Sequence, residues 1–139
     1  MSDEAGFLRR AIELAVEARA AGDMPYGSLL VGPSGEILIE DRNTVVTDGD
    51  ISAHPEFKLA LWASRELAFE DARQTTMYTS TQPCEMCAGA IARSGLGRVV
   101  FALSSEQHES IAPSKRPPVA YEGPSLFDEA RVPIDGFYD

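Results

Sequence analysis

The chain has 139 residues, of which 44% are hydrophobic and 24% are charged, so it can bury the core of one globular domain and is too apolar for wholesale disorder. The formal net charge of −10 disfavours a polyanionic partner such as a duplex or a tRNA, unless a local basic patch overcomes the overall field. No apolar run reaches the roughly 20 residues needed to span a bilayer, and the first residues lack the apolar stretch of a secretory signal.

The first half of the chain predicts a helix, a pair of strands and a second helix. Residues 4–22 carry apolar side chains at helical spacing and end in glycine, which is typical of an amphipathic helix. Residues 26–43 hold two apolar runs joined by a proline-serine-glycine turn, which predicts a hairpin. Residues 54–67 predict a helix with a proline in its first turn.

The second half alternates strands and helices. We expect strands at 75–81 and 97–104, with a helix at 83–95 between them. After Ser104 the sequence predicts loop, much of it proline-rich, and a short last helix within 125–132. Helices that alternate with strands after an initial hairpin predict a mixed sheet covered on both faces.

The only two cysteines, Cys84 and Cys87, stand three positions apart at the predicted start of a helix. Residues at i and i+3 share a helical face, so both sulfurs can point to one spot near the amino terminus, where the helix dipole favours thiolates. Two thiolates make half of a tetrahedral zinc site, but they also make a redox pair. Two cysteines so close together form no disulfide framework, which indicates a reducing, cytoplasmic compartment.

A histidine and a carboxylate that fit a zinc site lie about thirty positions upstream, at His54 and Glu56. One histidine with two cysteines provides three protein ligands and leaves the fourth position to water, as in catalytic zinc sites. Zinc lowers the pKa of such a water from about 15.7 to about 7, and a carboxylate beside it can carry the proton to a leaving amine. The sequence therefore predicts a zinc ion that generates hydroxide.

The two motifs His54-Pro55-Glu56 and Pro83-Cys84-Glu85-Met86-Cys87 match the H-x-E and P-C-x-x-C signature of zinc deaminases. On these motifs, and on the flanking sequence over roughly residues 5–103, the chain resembles the zinc-dependent cytidine deaminase-like superfamily. It is most similar there to bacterial guanine deaminases and tRNA adenosine deaminases, and residues 77–91 also resemble fungal-type cytosine deaminases.

This resemblance implies a fold and a domain organisation. The expected fold class is α/β, a three-layer α/β/α sandwich with a five-stranded mixed β-sheet, in which the two motif helices converge on zinc. Residues 1–139 would form a single deaminase domain, with a motif core at 5–103 and a variable C-terminal segment at 104–139.

The resemblance also implies a site and a reaction. One Zn²⁺ per chain, or another divalent ion such as iron, would be held by the three residues of the motifs, His54, Cys84 and Cys87. Glu56 would be the catalytic proton shuttle of a hydrolytic deamination that releases ammonia, with Asn43 and the backbone around Ala53 in contact with the substrate base. We expect a small nucleobase or nucleoside substrate, a homodimer and no membrane association.

Several positions depart from the resemblance or match nothing in it. Pro55 replaces the usual alanine of the purine and tRNA branches, Gln82 replaces a frequent glutamate, and Lys58 and Trp62 match no assigned position. The tail after Ser104 is unlike that of guanine deaminases, where carboxylates and an aromatic residue complete the base pocket. Possible replacements are Glu106, Glu109, Asp128 and Tyr138.

Plainer interpretations remain open for some of these residues. Asn43 could cap the turn after its strand, and His54 could be an ordinary structural histidine. We expect His108 to be solvated in a loop and Trp62 to lie in the core or an interface rather than to stack on a base.

Three classes of function follow. The first is a deaminase of free nucleobases or nucleosides, with guanine-type purines favoured over cytosine or another heterocycle. The second is a deaminase of a nucleic-acid base, as in tRNA, which needs a basic channel. The sequence offers a thin basic set for that channel: Arg9, Arg10, Arg93, Arg98 and residues 114–116. The third is a structural zinc domain, and Glu56 argues against it because a structural site does not use that carboxylate.

Overall fold

The computed structural model describes residues 3–139. The predicted helices and strands are present, and three short helices that the sequence did not predict accompany them. In chain order the elements are α1 (Glu4–Ala20), β1 (Gly27–Val31), β2 (Ile37–Arg42), α2 (Val45–Asp48), α3 (Pro55–Glu66), α4 (Phe69–Arg73), β3 (Thr76–Thr81), α5 (Glu85–Ser94), β4 (Arg98–Leu103), α6 (Ser105–Ile111) and α7 (Phe127–Ala130).

The strands form one mixed sheet in the order β2-β1-β3-β4. Strand β1 is antiparallel to both β2 and β3, whereas β3 and β4 run parallel. The mixed sheet is as predicted, but the expected five strands are wrong, because residues 3–139 contribute four. A fifth strand would have to come from the chain after α6, and that stretch holds four prolines between positions 113 and 124. Proline has no backbone N–H for a β-ladder, so this segment is a poor strand.

Helices cover both faces of the sheet because side chains alternate along each strand. On one face α1 packs on Leu29 and Tyr78. On the other face α3 packs on Leu30 and Met77. Both cores therefore share the two central strands, β1 and β3.

Helix α1 can approach the sheet closely because β1 begins with a glycine. A Cβ at Gly27 would lie 2.4 Å from the Cβ of Leu14 and 2.5 Å from the carbonyl oxygen of Ala11, so no larger residue fits there without displacing the helix. At its amino terminus α1 is capped by Asp3, whose carboxylate accepts from the Gly6 N–H at 3.0 Å.

Helices α3 and α5 pack side by side and begin near each other. Their N-cap residues are His54 and Cys84. The α5 helix ends at Gly95, which has the left-handed φ of +94° that suits glycine. The pairing of these helices is what brings the two sequence motifs together.

Residues 112–139 contrast with this body. Every one of them is exposed, including the short α7 that the sequence predicted. Within residues 3–139, every hydrogen bond that residues 117–139 make joins two residues of that same segment. No helix within residues 3–139 combines the length and the apolar character that crossing a membrane requires.

Candidate metal centre

Three side chains from the starts of α3 and α5 meet at one point. The Nδ1 atom of His54 lies 3.4 Å from the sulfur of Cys87 and 3.8 Å from the sulfur of Cys84. All three ligand atoms lie within 4.8 Å of one another. In a tetrahedral zinc site, bonds of about 2.0 Å to nitrogen and about 2.3 Å to sulfur place those atoms about 3.6 Å apart. The donor set and its spacing therefore fit a zinc ion.

The two thiols do not have the same proton affinity. A hydrogen bond from Cys87 lowers the pKa of Cys84 to about 5, against the opposing effect of burial, and the His54 charge assists. Its role as the donor in that hydrogen bond, together with burial, raises the pKa of Cys87. The two thiols thus differ in proton affinity, and a metal binds both sulfurs as thiolates, so its binding releases protons.

Glu56, in the first turn of α3, is a buried carboxyl group with one unpaired oxygen. The residue is 5% exposed, and its Oε1 atom accepts no hydrogen bond from any residue in 3–139. Burial raises the pKa of this carboxyl group to about 7, and the charge of Cys84 adds to that rise. A carboxyl group with such a pKa can both accept and release a proton near neutral pH.

A cavity of about 520 Å³ lies beside these groups and opens to solvent. His54, Glu56 and Cys84 line it. Its wall is completed by residues of several other segments: Met24, Tyr26, Thr81, Gln82, Pro83, Glu85, Ala88, Ser105, His108, Glu109, Ser114 and Arg116. A proton-transfer group and a metal-ligand set therefore share one open space, an arrangement that suits metal-assisted hydrolysis of a bound small molecule.

Two cavity residues were missed or misjudged from the sequence. The hydroxyl of Tyr26 lies 2.6 Å from Nε2 of His108, and the two rings are tilted against each other. The expectation of a solvated His108 in a loop is therefore wrong, because the residue sits on α6. The signal was present in the capping box of Ser104 and Gln107, which starts that helix.

Tyr26 lines the cavity and is partly buried there. Burial raises the pKa of the Tyr26 hydroxyl, and the charges of Glu56 and Cys84 raise it further. The phenol therefore stays protonated and can donate or accept a hydrogen bond. Nothing in the local sequence marks this residue, since its partner is 82 positions away.

Asn43 lies fully buried just after β2. Its Oδ1 atom accepts from the Val45 N–H at 2.9 Å, so the turn-capping interpretation is correct. Its Nδ2 atom has no hydrogen-bond partner within residues 3–139. Ala53 is buried as well, and its backbone bonds to Thr44 and Asp50. Neither Asn43 nor Ala53 lies among the residues that line the cavity.

The remaining candidates divide between the cavity and other places. Glu109 lines the cavity, whereas Glu106, Asp128 and Tyr138 do not. Trp62 is half-buried and packs against the α3 core, as expected for a structural tryptophan.

Comparison with known proteins places the chain among deaminases. The family model of the cytidine and deoxycytidylate deaminase zinc-binding region matches residues 1–103. A probable cytosine deaminase of Schizosaccharomyces pombe is 32% identical, over 96% of this chain and 91% of its own length. A tRNA-specific adenosine deaminase of Haemophilus influenzae is 35% identical, over 70% of this chain and 56% of its own length.

The fold has a close counterpart among solved structures. The guanine deaminase of Bacillus subtilis superimposes with a TM-score of 0.77 at 28% sequence identity, covering 96% of this chain and 92% of that one.

Proposed function

The chain belongs to the family of the cytidine and deoxycytidylate deaminase zinc-binding region, and from that premise we propose that it deaminates a free aminated nucleobase or nucleoside. As a member of this family it is a zinc-dependent hydrolase of C–N bonds. We propose that guanine-type purines are its preferred substrates, that residues 1–139 act as one domain, and that ammonia is the leaving product.

The observation that carries the proposal is Glu56. A buried carboxyl group with an unpaired oxygen and a pKa of about 7 is costly to fold, so its place beside three metal-ligand atoms points to a proton-transfer role. A structural zinc site would gain nothing from it.

The mechanism assigns each residue a task. His54, Cys84 and Cys87 would hold the zinc ion. When bound there, zinc activates water by lowering its pKa to about 7. In the deamination the oxygen of a water would bond to the amine-bearing ring carbon as the bond from that carbon to the amino nitrogen breaks. Glu56 would take one proton of the water and deliver it to the neighbouring ring nitrogen. The same carboxyl group would take the second proton, from the added hydroxyl, and pass it to the amino group, which leaves as ammonia.

The volume of the cavity supports a small-molecule substrate, and the structural relative supports a purine. The cavity of about 520 Å³ falls within the range of about 300–1,000 Å³ typical of small-molecule sites. The guanine deaminase of Bacillus subtilis shares the fold over nearly the whole chain. We keep cytosine as a second candidate, because the Schizosaccharomyces pombe relative also matches over nearly its full length.

A polynucleotide substrate has less support. Of the basic residues that could line a nucleic-acid channel, Arg10 pairs with Glu40 and Arg98 pairs with Glu4. Arg116 lies at the cavity, where Glu109 accompanies it. With a net charge of −10, these residues provide little attraction for phosphates, although a tRNA base remains the third candidate because of the Haemophilus influenzae relative.

We also propose a homodimer. A groove of about 480 Å³ between α3 and α5 is lined largely by apolar side chains, among them Phe57, Leu61 and Met86. Residues 112–139 add further exposed apolar side chains. Apolar surface of this extent is typical of a face that another chain covers.

The test is ammonia release by the zinc-loaded protein on guanine, adenine, cytosine, their nucleosides and related aminated heterocycles. The Glu56→Ala variant serves as the blank, and Glu70→Gln on the exposed α4 serves as the matched carboxylate control. We expect one clear substrate, with a turnover that falls by about 10²–10⁴ in Glu56→Ala and is unchanged in Glu70→Gln. Zinc content should be equal in all three proteins.

Near wild-type turnover in Glu56→Ala would refute the proton-shuttle role. Silence of the wild-type protein on every small molecule, with zinc bound, would move the substrate to a base within a polynucleotide.

A further inference from the structure

Lys58 makes an unusual set of contacts close to the metal centre. It lies on α3, one turn after His54 and two residues after Glu56. Its ammonium group lies 3.0 Å from an oxygen of Asp41 and donates to the Arg42 carbonyl oxygen at 2.9 Å and to the Thr44 hydroxyl at 2.9 Å. An ammonium group has three N–H donors, so each of them has a partner here.

The three acceptors bracket Asn43 in the chain. Asp41 and Arg42 precede it at the end of β2, and Thr44 follows it. The Thr44 hydroxyl in turn donates to Asp48 at 2.7 Å, which extends the link into α2. The Lys58 ammonium thus contacts residues on both sides of Asn43, through one backbone carbonyl and two side chains.

Asn43 is fixed from the other directions as well. Its backbone N–H donates to the carbonyl oxygen of Tyr26 at 3.0 Å, and its Oδ1 atom accepts from Val45. Its Nδ2 group is the one buried side-chain nitrogen within residues 3–139 that has no hydrogen-bond partner. A buried donor that is held in place and left unpaired is suited to a ligand that supplies the acceptor.

We infer that Lys58 is a positioning residue: it ties the helix that bears His54 and Glu56 to the backbone around Asn43 and thereby aims the Asn43 side-chain amide at the bound base. This inference rests on the proposed function and on the expectation, implied by the family resemblance, that Asn43 contacts the substrate base. The Lys58 side chain makes its contacts to Asp41, Arg42 and Thr44 rather than to a metal ligand, and it acts through Asn43.

The contact geometry explains why the residue is lysine. The Lys58 side chain is 27% exposed, so its three bonds form in a partly desolvated place where charge-assisted hydrogen bonds are strong. Arginine presents a planar fork, which suits a single carboxylate better than three separate acceptors. An apolar side chain would leave the Arg42 carbonyl oxygen without its Lys58 donor, and the Asp41 carboxylate with only the Arg42 backbone N–H.

The experiment is a double-mutant cycle with Lys58→Met and Asn43→Ala, measured on the base identified by ammonia release. Lys58→Met should raise the KM for that base about tenfold while kcat stays within about threefold, because the lost interaction orients a ground-state contact. In the Asn43→Ala background the same change should add no more than about twofold, because residues that act as one unit are not additive.

Arg10→Met is the matched control. Arg10 ties α1 to Glu40 of β2 through two hydrogen bonds of 2.7 and 2.9 Å, much as Lys58 ties α3 to Asp41. The Arg10→Met substitution removes a cation that links a helix to strand β2, as Lys58→Met does, but it removes no contact beside Asn43. We expect its KM to equal that of the wild type. An unchanged KM in Lys58→Met, or an equal KM effect of that substitution with and without Asn43, would overturn the inference.

A second readout does not depend on turnover. In ¹⁵N-labelled protein the Asn43 side-chain NH₂ resonance, assigned by its loss in Asn43→Ala, should shift in Lys58→Met and stay in place in Arg10→Met. If the wild type deaminates no base, the proposed function fails while this resonance still decides the inference. An unmoved resonance would overturn it.

If Lys58→Met does not fold, Thr44→Val removes one of the three acceptors and takes its place. A KM rise of about threefold with a shifted Asn43 resonance supports the inference, since one neutral hydrogen bond is lost. Wild-type KM together with an unmoved resonance in Thr44→Val contradicts it.

Discussion

The end of the sheet where α3 and α5 begin and the segment at residues 117–139 are opposite extremes of one chain. At the first, ligand atoms of residues 30 positions apart come within 3.8 Å, and the carboxyl group beside them is almost wholly buried. In the second, large side chains such as Tyr121, at 93% exposure, and Tyr138, at 84%, lie in water. The first region is held together by contacts within the chain, whereas the second leaves its large apolar side chains exposed.

This difference shows which parts of the structure the chain can build from its own contacts. A metal centre needs a few ligands on rigid helix starts, and the packing of α3 on α5 provides that. Apolar side chains stabilise a fold only when they leave water. Those of residues 117–139 are exposed, so they would contribute to stability only where another surface covers them.

The largest effect is expected from a substitution that breaks the complete region. His54→Ala removes one of three protein ligands, and we expect a loss of zinc affinity well beyond the tenfold to roughly hundredfold cost of losing an outer-shell contact. Zinc per chain, measured by atomic absorption after dialysis against a weak chelator, checks this result.

His108→Ala is the matched histidine control for that measurement. His108 lines the cavity but bonds to Tyr26 rather than to the thiols, so its variant should retain zinc. Normal zinc occupancy in His54→Ala would overturn the ligand assignment, and zinc loss in both variants would show that the measurement reports unfolding.

An intermediate effect is expected from removal of residues 117–139. Because this segment is exposed throughout and bonds only within itself, its deletion should leave zinc content unchanged and lower the Tm by no more than about 4 °C, which corresponds to about 1 kcal/mol in a chain of this size. Light scattering after gel filtration should show a monomer if the segment covers a partner. A large loss of Tm in the monomeric state would show that the segment packs on its own body, against the contrast drawn here.

The smallest effect is expected at a buried carboxylate of the folded body, and we compare it with an exposed one in residues 112–139. Asp23 is buried, and the Thr47 hydroxyl and backbone N–H at 2.6 and 2.8 Å lower its pKa. A carboxylate whose pKa is lowered by folding stabilises the protein above its unfolded pKa of about 3.9, and this contribution is lost as the pH falls through the folded value.

We therefore expect the gap in Tm between the wild type and Asp23→Asn to be present at pH 6 and to close on acidification below roughly pH 4. Asp128→Asn in the exposed α7 is the control, and its Tm should follow the wild type at every pH. A gap that stays constant down to pH 2 would mean that Asp23 acts by shape rather than by charge.

Much of the ordered end was predictable because its signals are local. Pro83 before Cys84, and Pro55 after His54, mark two helix starts, and ligands on helix starts converge when the helices pair. The lengths of the strands followed from their apolar runs.

The parts that could not be predicted depend on contacts between distant residues. The Tyr26–His108 bond spans 82 positions, and the three contacts of Lys58 exist only once α3 lies across the end of β2. The strand number was wrong because family resemblance suggested a fifth strand, whereas the prolines between positions 113 and 124 are incompatible with a regular ladder.

Pro55, the first residue of α3, lowers the conformational entropy that is lost when the metal ligand His54 is put in place. A proline restricts the residue before it to extended backbone, and His54 has φ −80° and ψ 141°. The ring also fixes its own φ near the helical value, so fewer conformations of residues 54–56 are lost when the chain folds. The entropic cost of arranging a ligand and a proton carrier is thereby met in the covalent structure of the chain, before any metal arrives.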